Sequence, residues 1–230
     1  MVFAYLSSSN GVLSVSPQGE VKNSPNRDSW EVVNVHFLQN GKVALKTAHG
    51  QFLSDQQGRI AVAPHLNEWE QWILEDKGNG QAAFRSWRGQ YLSLDNGQCK
   101  TTPHCDAWER FNVEFKKIYL RGHHGHHVTS DPNGIVQGTP NRNVWEQYTP
   151  VLSQGKIALR DHHGKFLSAS NNGTFTTAPH LNEWERFQPI QRGDQVAFRT
   201  HHGQQICQQP QGHLLGSPNL DAWELFHVSH

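Results

Sequence analysis

The dipeptide Trp-Glu occurs six times, at Trp30, Trp69, Trp108, Trp145, Trp184 and Trp223. Successive intervals are 39, 39, 37, 39 and 39 residues, and each Trp of the second half lies 115 residues after its counterpart in the first. The flanking residues keep the same period. SPNRDSWE at 24–31 answers TPNRNVWE at 139–146, APHLNEWE stands unchanged at 63–70 and 178–185, and TPHCDAWE at 102–109 answers SPNLDAWE at 217–224. The chain is therefore a duplicated half that is itself three copies of one unit. A unit of this length cannot bury its own apolar face, so neighbouring units must share a core.

Each unit reads as four short strands. An alternating run opens it (KVALK, QAAFR, KIALR, QVAFR), a turn follows (TAHG, SWRG, DHHG, THHG), and then QFLS, QYLS or KFLS. A second polar turn leads to another short strand, the Pro-containing loop and a last strand such as WEQWILE. Gly, Asn and Pro bound every run, and helix formers are scarce, which predicts an all-β chain. Three such units together can close a barrel with a triangular cap.

Three four-strand units of about 40 residues resemble the β-trefoil pattern, and GKVALKTAHGQFLS at 41–54 is similar to the fascin and hisactophilin branch of that superfamily. The Gln-x-Trp signature of ricin-type trefoils is absent. The resemblance covers all six units and implies a tandem pair of β-trefoils, residues 1–115 and 116–230, with six four-strand repeats of about 39 residues. A propeller is the structural rival, but it gives the 115-residue superperiod no natural cause.

Aligned, the six loops share Pro, Trp and Glu, with Asp or Asn two residues before the Trp. Pro and Asp/Asn are turn residues, and a Trp that fills the core is the plain structural reading. Strand alternation argues otherwise. Three residues past each Trp come Val33, Trp72, Phe111, Tyr148, Phe187 and Phe226, and two further Val35, Leu74, Val113, Pro150, Pro189 and Val228. If those pairs form the core face, the odd offset turns the motif Trp outward. An exposed indole stacks on the apolar face of a sugar ring while carboxylates and amides accept hydrogen bonds from its hydroxyls. The motif thus resembles the three-site β-trefoil modules that bind β-glucan. That resemblance implies carbohydrate-binding sites at Asp28, Trp30 and Glu31; Asn67, Trp69 and Glu70; Asp106, Trp108 and Glu109; Asn143, Trp145 and Glu146; Asn182, Trp184 and Glu185; and Asp221, Trp223 and Glu224. Shallow sites of this kind gain strength through multivalency.

The Glu has a second use open to it. Lys46, Arg85, Arg121, Arg160 and Arg199 end the first strand of five units, and a cation–Glu clamp between strands would explain the recurrence without a ligand. Both uses are compatible.

Other functions find less support. Lys+Arg and Asp+Glu are both 20, so no global field draws the chain to nucleic acid or an acidic membrane, and no run approaches the roughly 20 apolar residues of a membrane span. Cys99, Cys105 and Cys207 are an odd set without CxxC spacing, which suits a reducing compartment. The expected location is cytoplasmic, or outside the cell by release without a recognisable signal peptide. Sixteen His gather partly in turns, at HHGHH (123–127), 162–163 and 201–202, where hisactophilin-like proteins place them, but their spacing defines no metal site. Glu68 with Glu70 and Glu183 with Glu185 are the only paired carboxylates in the motif, no nucleophile or phosphate-loop motif is present, and repeated shallow sites do not exclude water. The expectation is a lectin with no catalytic residues, cofactor or metal, whose partners are glycans or polysaccharide. A fascin-like actin-bundling protein is the alternative, resting on fold resemblance alone.

Overall fold

The computed structural model describes residues 2–230. It is all-β, with strands of three to eight residues, and among the described residues the only helical elements are five single-turn 3₁₀ segments. The chain divides into two compact units, Val2–Phe115 and Lys116–His230.

In the first unit six strands close a ring. Val2–Ser8 pairs with Val33–Phe37, which pairs with Val43–Thr47, then Gln71–Gly78, Gln81–Arg85 and Phe111–Phe115, and the last returns to Val2–Ser8. All of these pairings are antiparallel, and the hairpin strands Gly11–Val15 with Val21–Ser24, Phe52–Gln56 with Arg59–Ala63, and Tyr91–Asp95 with Gln98–Thr102 extend from it. The second unit builds three four-stranded sheets, and single bridges join them: Ile118 to Tyr148, Ile157 to Phe187 and Val196 to Phe226. Closing a sheet on itself removes the exposed edges that an open sheet presents.

The runs that open the units become the ring strands. Val43, Ala44 and Leu45 are all buried, as are Ala82–Ala83–Phe84, Ile157–Ala158–Leu159 and Val196–Ala197–Phe198. Both faces of these strands are covered, so alternation gives way to continuous apolar triplets. The residues three past each motif Trp form the centre of the core: Val33, Trp72 and Phe111 in the first unit, and Tyr148, Phe187 and Phe226 in the second, are no more than 3% exposed. Their polar atoms are satisfied, with Trp72 Nε1 donating to the Leu53 carbonyl at 3.1 Å and Tyr148 Oη bonded to Ser130 Oγ.

Candidate functional site

The motif Trp does not lie on a strand. Ser29–Glu31, Glu68–Glu70, Val144–Glu146, Glu183–Glu185 and Ala222–Glu224 are 3₁₀ turns, each preceding the last strand of its unit, and residues 106–109 form an equivalent turn. Strand alternation therefore does not apply at these positions. The turn itself aims the indole outward, and all six motif Trp are between 38% and 45% exposed.

The Asp/Asn-x-Trp-Glu order explains the turn. Asp28, Asn67, Asn143, Asn182 and Asp221 are N-cap residues with extended backbone, and the Glu three residues on completes a reciprocal capping box. In every copy a Glu carboxylate oxygen accepts the N–H of the Asp/Asn, at 2.7–2.8 Å, from Glu31, Glu70, Glu109, Glu146, Glu185 and Glu224. The other oxygen is taken as well where Ser54 Oγ donates to Glu70 at 2.6 Å and Ser168 Oγ to Glu185.

These Glu are 3–4% exposed, so the six carboxylates expected to accept sugar hydroxyls are buried structural caps. The strand clamp fares no better, because among the described residues none of the six pairs with Lys or Arg. Arg85 binds Glu75 instead, at 2.8 Å, and Arg121 and Arg199 reach the carbonyls of Gly125 and Gly203 in their own turns. Nor do the paired carboxylates share a face: Glu68 and Glu183 are exposed while Glu70 and Glu185 are buried.

Burial raises the Glu31 carboxyl, but hydrogen bonds from Ser14, the Asp28 amide, Ser24 and its own amide outweigh it and leave the group below its usual range. In the sixth unit Cys207 replaces the strand Ser, and burial, together with its contact to Glu224, pushes the thiol up to about 12. The Ser of QFLS and KFLS is the sequence signal for the cap's partner, whereas Ser93 of QYLS is buried with no hydrogen-bond partner among the described residues.

What remains at the surface is Trp beside Asp28, Asn67, Asp106, Asn143, Asn182 or Asp221, all exposed. A neighbour that sequence reasoning did not assign completes the site. Five of the six Trp meet the turn between the first two strands of the next unit around the ring. In the second unit Trp145 packs edge-on against His163 (5.4 Å between ring centroids), Trp184 against His202 (5.3 Å) and Trp223 against His124 (5.1 Å), so the contact closes cyclically. A further His precedes each of these (His162, His201, His123) and is exposed. The Nε2 atoms of His124, His163 and His202 are buried without a hydrogen-bond partner among the described residues.

In the first unit Trp30 meets His49 edge-on at 6.1 Å, and Trp69 stacks parallel on Trp87 at 5.8 Å with 8° between the planes. Trp87 is held by its Nε1–H on the Asp55 carbonyl at 3.1 Å. The third turn is Ser8–Ser9–Asn10, without an aromatic ring; Ser8 and Ser9 border an open groove with Asp106 and Ala107. A shallow depression lined by Asn182, Glu183, Trp184 and Glu185 marks the fifth loop. Among the described residues no helix is long and apolar enough to cross a membrane, and no three His, Cys, Asp or Glu side chains converge as metal ligands.

Comparison with known proteins adds the following. The search of curated proteins finds no match. Among solved structures, a chain described as "Structure and mode of action of a mosquitocidal holotoxin" is similar at 13% identity and a TM-score of 0.45, over 99% of this chain and 33% of that one. This chain thus spans about a third of the length of that relative. Residues 9–102 match the fascin domain family.

Proposed function

We propose that the chain is a tandem pair of β-trefoils that binds carbohydrate through its repeated Trp loops, β-glucan among the candidate ligands. The observation that carries this reading is the six exposed indoles, one per repeat, each set on a turn that a buried Glu holds rigid. Each indole leaves 38–45% of its surface to solvent, and a rigid, preorganised aromatic face is what sugar stacking requires.

In this reading the Trp supplies the apolar platform. The exposed Asp or Asn supplies polar contacts at its rim, and the His or Trp of the neighbouring turn sets the tilt of the indole. The Glu acts through the loop and does not touch the sugar. The sites are open to water, which suits binding and not catalysis. Single contacts are weak, and attachment to a polysaccharide gains by engaging several loops at once.

Titration with soluble β-glucan, read by Trp fluorescence, tests the reading. Binding that falls stepwise through a Trp→Ala series supports it. Co-sedimentation with filamentous actin in place of glycan binding supports the fascin-like alternative, which the match over residues 9–102 favours on fold alone.

A further inference from the structure

We propose that the second unit carries a separate small cavity, beside the Trp145 loop, that takes one anionic sugar residue of the hexuronate class. The choice of a sugar rests on the carbohydrate reading above; the cavity does not. It is lined by Lys117, Gln147, Thr149, Arg160, Asp161 and His162, with Gly164 at its edge, and has a volume of about 160 Å³. Pockets for drug-sized ligands begin at about 300 Å³, so this one suits a single ring. It lies one side chain from the Trp145 site, because His162 packs against His163 and His163 against Trp145.

Asp161 is the one acid of the lining. It is 5% exposed, and its Oδ1 accepts the Lys165 N–H at 2.9 Å, which accounts for the turn. Its Oδ2 is buried with no hydrogen-bond partner among the described residues. A buried carboxylate oxygen left unpaired is costly, and a ligand hydroxyl would satisfy it. The other two copies of this position in the unit hold no acid. Gly122, Asp161 and Thr200 all donate their N–H to the residue four further on, at 2.7–2.9 Å, and only the middle copy carries a carboxylate.

Around this acceptor stand Lys117 and Arg160, both exposed, and neither has a carboxylate partner among the described residues. Gln147 donates its Nε2–H to Tyr119 Oη at 2.6 Å, which leaves its carbonyl oxygen to accept. The site therefore needs a ligand that donates to Asp161 and Gln147 and presents a negative charge to Lys117 and Arg160. A sugar ring with a carboxylate does both, with charge-assisted bonds at each end. A zwitterionic amino acid would satisfy the two charged ends but has too few hydroxyls for Gln147 and Thr149.

Isothermal titration of the full chain with methyl β-glucuronide, methyl β-glucoside and serine tests the assignment. The expected result is glucuronide binding at least tenfold tighter than glucoside. Asp161→Asn, which keeps the Oδ1 acceptor for Lys165, should weaken it tenfold or more, and Arg160→Gln should bring glucuronide to the level of glucoside. Arg160 is exposed, so that variant carries the test even if Asp161→Asn fails to fold. No glucuronide binding, no preference over glucoside, tighter binding of serine, or unchanged affinity in both variants overturns the proposal. Neutral β-glucan separates the two readings: Asp161→Asn should bind it as wild type does, and glucuronide binding that needs Asp161 in a protein that ignores β-glucan leaves the cavity standing and the Trp reading refuted.

Discussion

The two units keep the same loop and change what lies beside it. In all six loops a buried Glu caps the turn through the Asp/Asn amide, with distances that vary by only 0.1 Å. The residue against the indole is His in all three copies of the second unit. In the first it is His49, then Trp87, then no ring at all. The part that positions the Trp is thus uniform, and the part that shapes its surface has diverged in one unit only. That contrast separates the two residues better than the recurrence of the motif does, because Trp and Glu recur equally while the Glu is buried in the turn and the Trp is exposed.

The largest effect should come from the uniform part. Glu70→Ala and Glu185→Ala each remove a cap and leave a buried Ser hydroxyl unpaired, for a loss of about 2–4 kcal/mol in chemical denaturation. The two losses should match; a large inequality would show that the loops are not equivalent after all.

Acid stability should separate the units. His36 is 6% exposed, packs edge-on against Phe52, and its Nε2 has no partner among the described residues. Burial, with a smaller contribution from Lys46, lowers it from 6.5 to about 3. The unfolded chain therefore binds the proton first, so stability is full above pH 6.5 and falls as pH drops toward 3. The second unit has Val151 at this position. His36→Val should flatten the slope over that window, measured by denaturation at several pH values. Burial also lowers His127 in the second unit, so a residual slope should remain. Below pH 4.5 a further loss should set in as the lowered carboxyls of Glu31, Glu75 and Glu114 take up protons.

Ligand binding should follow the turn residue. Trp145→Ala, Trp184→Ala and Trp223→Ala should weaken glycan binding by similar factors, while Trp30→Ala, Trp69→Ala and Trp108→Ala should differ, with Trp108→Ala smallest. Similar losses across the first unit would break the link between the neighbouring ring and recognition. The smallest effect belongs to the strand-end cations. Arg85→Gln breaks a half-exposed pair with Glu75 and should cost less than about 1 kcal/mol, whereas Arg199, which reaches the Gly203 carbonyl, has no carboxylate partner among the described residues, and Arg199→Gln should cost less still.

Much of this was legible in the residues. The 39-residue spacing gave the repeat, the apolar runs gave the ring strands, and the residues from Val33 to Phe226 three past each Trp gave the core. Strand alternation points the Trp outward for the wrong reason, because residues 28–31 and their equivalents are turns and not strand. The correct signal was present: Asp/Asn with Glu three residues later is a capping box, and it predicts a buried, occupied carboxylate. The pairing of Trp with the next unit's turn was not legible. Trp223 and His124 are 99 residues apart, and only closure of the ring brings them together. The Asp161 cavity was equally hidden, since its lining comes from three separate stretches of chain.

The central claim is that the exposed indoles are the binding surface. The direct measurement is affinity for soluble β-glucan of the wild type and of Trp145→Ala/Trp184→Ala/Trp223→Ala, with circular dichroism to confirm that the fold is kept. The account predicts at least a tenfold loss of apparent affinity with an unchanged spectrum. Equal binding by the folded triple variant, or no glycan binding by the wild type, would contradict it.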